Sequence, residues 1–117
     1  MGTNYYVTKN GPSVQTPFHI GKSSCGWLFN FQYQGDTWCD PPVVWNSYEE
    51  LLQWLQKYTV DNPEYVIIDE SDEVISLDDF KDMVEFKQND ERCRNNPDNF
   101  HYSDNVNGYR FTRGEFS

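Results

Sequence analysis

His19, Lys22, Ser23, Ser24 and Trp27 fall within nine consecutive residues and bring together an imidazole, an ammonium, two hydroxyls and an indole. With backbone N–H groups near Gly21 and Gly26, these groups could surround a phosphate, so the cluster is a candidate pocket that sequesters or modifies a phosphate or nucleotide. Gly21-Lys22-Ser23 also imitates the end of a phosphate-binding nucleotide loop. That loop needs a glycine five residues before Gly21, where Thr16 stands, and a helix directly after, where Gly26 and alternating aromatics stand. The nucleotide-loop reading fails on both counts. His19 would serve as acid or base beside Lys22, Ser23 or Cys25 if all lined one pocket, yet regular strand alternation puts His19 and Lys22 on opposite faces. Nothing in the spacing of His19, His101, Ser23, Cys25 or the carboxylates assembles a nucleophile, its base and an orienting group. No catalytic residue is assigned, and a hydrogen-bonded structural His19 is the plainer reading.

The second candidate is electrostatic. Residues 61–91 hold twelve carboxylates against two bases, Lys81 and Lys87, whereas the rest of the chain balances at seven of each sign, so the net charge of −10 is local. A negative field of that size attracts cationic partners, raises encounter rates and repels nucleic acid and anionic membrane. Asp69, Glu70, Asp72, Glu73, Asp78, Asp82 and Glu85 are therefore the candidate partner-binding residues, and the expected partner is a protein with a basic surface. A solvated outer helix face is the bland alternative. Direct nucleic-acid binding fails on sign, since nine bases among nineteen acids cannot neutralise a run of phosphates unless Arg92, Arg94, Arg110 and Arg113 meet in space. The reverse holds: carboxylates along a helix face repeat at about 4.5 to 6 Å, a density that suits competition for a nucleic-acid-binding groove.

Metals find no dedicated pattern. The run Asp69-Glu70-Ser71-Asp72-Glu73 lacks the central glycine and alternate acids of a calcium loop. Cys25, Cys39 and Cys93 are spaced as neither a disulfide framework nor a paired-cysteine zinc site, and free thiols are expected. No cofactor is called for. No run approaches the roughly 18 apolar residues of a membrane helix, and Met1-Gly2-Thr3-Asn4-Tyr5-Tyr6 lacks the basic and apolar regions of a signal peptide, so a cytosolic chain without membrane contact is expected.

At 117 residues the chain has the length of one domain, and with aromatics at 17% rings should dominate its core. Asn4–Lys9 reads as a first strand ending at the turn signal Asn10-Gly11-Pro12. Phe18–Ser24 is a second strand. Trp27–Tyr33 is a third, with Trp27, Phe29, Phe31 and Tyr33 on one face, ended by Gln34-Gly35-Asp36. Ser47 and Glu50 form a capping box ahead of Leu51, Leu52, Leu55 and Tyr58, which predicts a helix from Ser47 to Tyr58. Glu64–Asp69 is a short buried strand, and Val74-Ile75 returns across the acidic turn as a hairpin. Ser76 caps a second helix, where Leu77, Phe80, Met83 and Val84 span an arc of about 120° and Asp78, Asp82 and Glu85 lie opposite. Residues 87–107 are polar and without apolar periodicity, which predicts a long loop. Tyr109 and Phe111 open a last edge strand. The sum is a single α+β domain, residues 1–117, with a small antiparallel sheet packed against two amphipathic helices.

Met1-Gly2-Thr3-Asn4-Tyr5-Tyr6, His19-Ile20-Gly21-Lys22-Ser23-Ser24 with Gly26-Trp27, and Gly108-Tyr109-Arg110-Phe111 with Gly114-Glu115-Phe116-Ser117 carry a resemblance to a family of small, functionally uncharacterised proteins of tailed bacteriophages and prophages. Glu73-Val74-Ile75-Ser76-Leu77 is similar to that family's passage from strand to helix. Many members insert paired cysteines between the first strand and the His-Ile-Gly-Lys segment, suggesting a zinc knuckle; Lys9 to Phe18 contains none, which argues against a metal here. The resemblance implies an accessory protein in the cytoplasm of an infected bacterium, of the kind that inhibits host defence or a nucleic-acid-handling enzyme; a virion or assembly component is the blander possibility.

Overall fold

The aromatic and β-branched runs pair into sheets, and the capped amphipathic runs cover one side of them. The computed structural model describes residues 2–9, 17–38, 41–101 and 103–113. Its strands are β1 (Gly2–Lys9), β2 (Phe18–Ser24), β3 (Asn30–Gln32), β4 (Gln34–Asp36), β5 (Val43–Trp45), β6 (Tyr65–Asp69), β7 (Val74–Ile75), β8 (Asp104–Val106) and β9 (Tyr109–Thr112). Its helices are α1 (Tyr48–Leu55), continued by a π-helical stretch Gln56–Asp61, then α2 (Leu77–Asn89) and the short α3 (Glu91–Arg94). Among the described residues seven strands form one sheet in the order β7-β6-β1-β2-β3-β9-β8, and β4 pairs with β5 apart from it. All pairings are antiparallel except β3 with β9, which run parallel. The chain is an α+β domain, and among the described residues no helix is long and apolar enough to cross a membrane.

Caps set the helix starts as the sequence predicts. Ser47 Oγ accepts the Glu50 N–H at 3.1 Å, and the Glu50 carboxylate accepts the N–H of Asn46 at 3.1 Å, one residue further back than a capping box places it. Ser76 Oγ accepts the Asp79 N–H at 3.1 Å. α1 buries Tyr48, Leu51, Trp54 and Leu55, and α2 buries Leu77, Phe80 and Val84. Between them and the sheet lies a cluster of rings. Phe31 stacks on Phe111 at 4.9 Å and meets Phe29 at 4.6 Å and Tyr48 at 5.4 Å; Trp54 joins Trp45 and Tyr65. Each such pair adds about 0.5 to 1.5 kcal/mol beyond area burial. The two buried indoles are satisfied by backbone: Trp45 Nε1 donates to the Gln32 carbonyl and Trp54 Nε1 to that of Pro42, both at 2.8 Å.

Four expectations need correction. Gln34–Asp36, expected to end a strand, is itself β4, because Val43-Val44-Trp45 returns to pair with it. The third strand begins only at Asn30; Trp27 belongs to the turn before it, and Leu28, outside the face of Trp27, Phe29, Phe31 and Tyr33, is buried as well. The closing strand β9 is interior rather than an edge, since β8 pairs outside it. Residues 87–107, expected as a long loop, hold the last turn of α2, all of α3 and β8. Their polarity has a use: Lys87 Nζ donates to the carbonyls of Ser24 at 2.5 Å and Trp27 at 3.0 Å, Asn96 Nδ2 donates to that of Gly26 at 2.9 Å, and Asn99 Oδ1 accepts the Leu28 N–H at 3.2 Å. The segment is polar because it fastens the turn between β2 and β3. The expected turn at Asn10-Gly11-Pro12 lies outside the described residues.

β2 carries an irregularity that regular alternation cannot anticipate. Tyr5 pairs with Gly21 but Tyr6 pairs with His19, so Ile20 is an extra residue, a β-bulge. Asn4 faces Lys22 across the same ladder. Paired residues project to the same side, so the bulge brings His19 and Lys22 onto one face with Asn4 and Tyr6.

Candidate functional site

The acidic residues divide into two sets with different uses. In the turn after β6, Asp69 is half-buried and its Oδ1 accepts the N–H groups of Ser71 at 2.8 Å and Glu73 at 3.0 Å. Asp72 stands at φ 63 at the tip, a conformation that aspartate tolerates better than most residues. Glu70 Oε1 accepts the Asn4 N–H at 2.8 Å, tying the turn to β1. Burial raises the Tyr5 phenol above its ordinary value, with the nearby charges of Asp69 and Glu70 adding to it. Asp69 therefore organises the hairpin. Asp69→Ala should cost about 1 to 2 kcal/mol in urea unfolding, because two backbone donors lose their acceptor; Asp69→Asn, which keeps an acceptor oxygen, should recover much of that.

The second set lies on α2. At about 100° per residue, Asp78, Asp82, Glu85, Phe86 and Asn89 share the side opposite the core, and Asp90 follows as the C-cap. Asp78, Asp82 and Glu85 are exposed, and among the described residues none of the seven candidate partner-binding carboxylates makes an ion pair; the two found there join Arg92 to Asp90 and Arg113 to Asp104. Lys87, one of the two bases in the acidic segment, has its ammonium turned inward onto carbonyls, which leaves Lys81 as the segment's cation nearest solvent. Phe86 is 70% exposed, and with Asp82, Glu85, Asn89 and Asp90 it lines a groove of about 350 Å³. An exposed ring beside the unpaired carboxylates of Asp82 and Glu85 has the arrangement of an anchor with an anionic rim. The Asp90 carboxyl is held below the usual range, chiefly by the Arg92 N–H it accepts.

Phe86, Asn89 and Asp90 were not among the sequence candidates. The signal was present for Phe86: it lies off the arc of Leu77, Phe80, Met83 and Val84, so an apolar residue there had no core to enter.

The His19 cluster does not converge. His19 is 6% exposed, its Nε2 lies 2.9 Å from Asn4 Oδ1, and its ring stacks on Tyr6 at 5.0 Å. Lys22 shares that face, but Ser23 pairs with Thr3 on the other. The Ser24 and Trp27 carbonyls are taken by Lys87, and the Trp27 ring lies under the Arg110 guanidinium at 4.9 Å. Cys25 is exposed and Cys93 buried, both free thiols; Cys39 lies outside the described residues. Among the described residues no group of three or more His, Cys, Asp or Glu side chains is placed to hold a metal ion. Compared with protein-family models, curated proteins and solved structures, the chain matches none.

Proposed function

We propose that this chain is a small acidic bacteriophage accessory protein, acting in the cytoplasm of the infected bacterium, that binds a basic surface of a host protein through the outward side of α2. Its target class is a host defence protein or an enzyme that handles nucleic acid, whose anion-binding groove the carboxylates occupy in place of phosphates. The phage setting is supported by the terminal motifs and the His-Ile-Gly-Lys segment. The observation that carries the binding role is the stripe of unpaired carboxylates Asp78, Asp82 and Glu85 around the exposed Phe86. Charges of this kind act chiefly on association rate, and a central aromatic acts on residence time.

The test is capture of partners from infected cells at low and high salt, comparing the wild type with Asp82→Lys/Glu85→Lys/Phe86→Ala. Asp78 is left in place because the first turn of α2 favours a carboxylate by about 0.3 to 1 kcal/mol. The variant should keep its stability to within about 0.5 kcal/mol, as exposed substitutions do. It should lose a basic partner at least tenfold, with a shallower salt dependence. Capture of the same partners at unchanged affinity retires the reading.

A second reading, sequestration of a phosphate or nucleotide by the His19-Lys22-Ser23 segment, is favoured by the bulge that puts His19 and Lys22 on one face, with Ser23 on the other. A nucleotide at a hundred times its Kd should add about 2.7 kcal/mol of stability; no thermal shift across a nucleotide panel ends it.

A further inference from the structure

Trp27 and Arg110 belong to a different pocket from the one the sequence suggests. Together with Asp98 and His101 they line a cavity of about 360 Å³, beside the segment that fastens the β2–β3 turn. The Arg110 side chain is fixed before any ligand arrives. Its Nε donates to Ser103 Oγ at 3.2 Å, Ser103 Oγ lies 3.1 Å from Thr112 Oγ1, and Thr112 Oγ1 donates to Asn30 Oδ1 at 2.5 Å. The guanidinium lies over the indole of Trp27 at 4.9 Å, a cation–π contact.

What this relay leaves open is the rest of the fork. Among the described residues the Arg110 side chain makes no ion pair and no hydrogen bond beyond that of Nε. A guanidinium carries five N–H donors and stays protonated in proteins, so four point to no protein acceptor. The group is only half-exposed, and burial lowers its pKa from the ordinary arginine value. A partly desolvated cation without a counter-charge is unfavourable, and here it occurs in a chain with nineteen carboxylates. One of them, Asp98, lines the same cavity without closing on Arg110.

A planar fork of this kind matches a carboxylate or phosphate oxygen pair. His101 adds an imidazole to the lining. Asp98 disfavours a second full negative charge nearby and accepts a hydrogen bond from a donor carried by the ligand.

We propose that Trp27, Asp98, His101 and Arg110 form a binding site for a small oxyanion, a phosphate monoester or carboxylate, that carries a hydroxyl beside its charged group. Arg110 takes the oxyanion, Asp98 the hydroxyl, and the part of the Trp27 ring that Arg110 leaves uncovered borders the carbon skeleton. The site is independent of the α2 surface.

The test is NMR titration of the full chain with three probes: inorganic phosphate, glycerol 3-phosphate and lactate. Either hydroxylated probe should give saturable shifts at the Trp27 indole N–H and Arg110 Nε, with Kd of about 0.1 to 1 mM for so few ligand atoms. The Trp45 and Trp54 indoles, each bonded to a carbonyl, should stay still. Which of the two hydroxylated probes binds decides between phosphate monoester and carboxylate. Arg110→Gln should weaken binding at least tenfold. Because Arg110 also joins a hydrogen-bonded relay, Asp98→Asn provides a second reading: the hydrogen bonds of Asp98 are made by its backbone N–H and carbonyl, so the fold should be unaffected. That variant should bind inorganic phosphate severalfold more tightly and lose its preference for the hydroxylated probes. Shifts that do not saturate with any probe, or that persist unchanged in both variants, overturn the proposal.

Discussion

Gly21→Ala should lower the unfolding free energy by about 3 kcal/mol, the upper end for overpacking, whereas Gly35→Ala should be neutral or raise it by up to about 1 kcal/mol. A Cβ on Gly21 would meet the Asn30 carbonyl oxygen, the Phe29 ring at 2.5 Å and Phe31 Cα at 3.0 Å. Two of these are backbone atoms of β3 or its immediate partner residues, and they cannot swing away as a flexible side chain would. Relief would require β2 and β3 to separate where Phe29, Phe31 and Ile20 are fully buried, giving up close packing at the middle of the sheet. At Gly35 an added Cβ meets nothing within 4 Å, so the main effect is a smaller conformational entropy for the unfolded chain. Urea unfolding of the two variants side by side checks the contrast. A loss of under about 1 kcal/mol for Gly21→Ala would mean the strands are less tightly apposed than described.

Lys87→Met should cost about 2 to 4 kcal/mol, and at roughly 4 °C per kcal/mol for a domain of this size it should lower the melting temperature by about 8 to 16 °C. Lys87 lies in the buried stripe of α2, 9% exposed. Its ammonium ends on the Ser24 and Trp27 carbonyls, and no carboxylate is joined to it in an ion pair among the described residues. Methionine fills the same stem volume but leaves the Trp27 carbonyl without this donor. The Ser24 carbonyl keeps the Trp27 N–H at 3.2 Å, which is why the loss is smaller than two full charged hydrogen bonds. The lost hydrogen bonds are short-range and part-buried, so although the substitution also makes the net charge one unit more negative, the loss should be nearly unchanged at high salt. A loss that salt abolishes would instead point to general charge repulsion.

The helix caps, the hairpin across the acidic turn and the ring-filled core were legible because each depends on residues close in sequence. Ser47 with Glu50, Ser76 with Asp79, and the alternation through Phe29 and Phe31 all act within a turn or a strand. What escaped depends on distant partners. The bulge at Ile20 is set by how β1 lies against β2, and it reversed the expected separation of His19 and Lys22. Lys87 occupies the apolar arc of α2, but nothing local says that carbonyls some sixty residues earlier will receive it. The asparagines at 96 and 99 looked like loop residues for the same reason. On the candidate surface, the carboxylates of α2 could be named from periodicity alone. The turn-capping role of Asp69 was not legible, because a carboxylate that caps its own turn has the same sequence signature as one that meets a partner.

The parallel pairing of β3 with β9 has a consequence for how the chain is made. Thr112 bonds to Asn30 across 82 residues, so the strand that covers the outer side of β3 is synthesised long after its neighbour. At about 5 to 20 residues per second that interval is roughly 4 to 16 seconds, during which β3 has β2 on one side and an open ladder on the other. A nascent chain in that state exposes strand edge to whatever lies nearby. Ribosome-bound intermediates stalled before residue 109 should therefore be the species most prone to aggregate or to recruit chaperones.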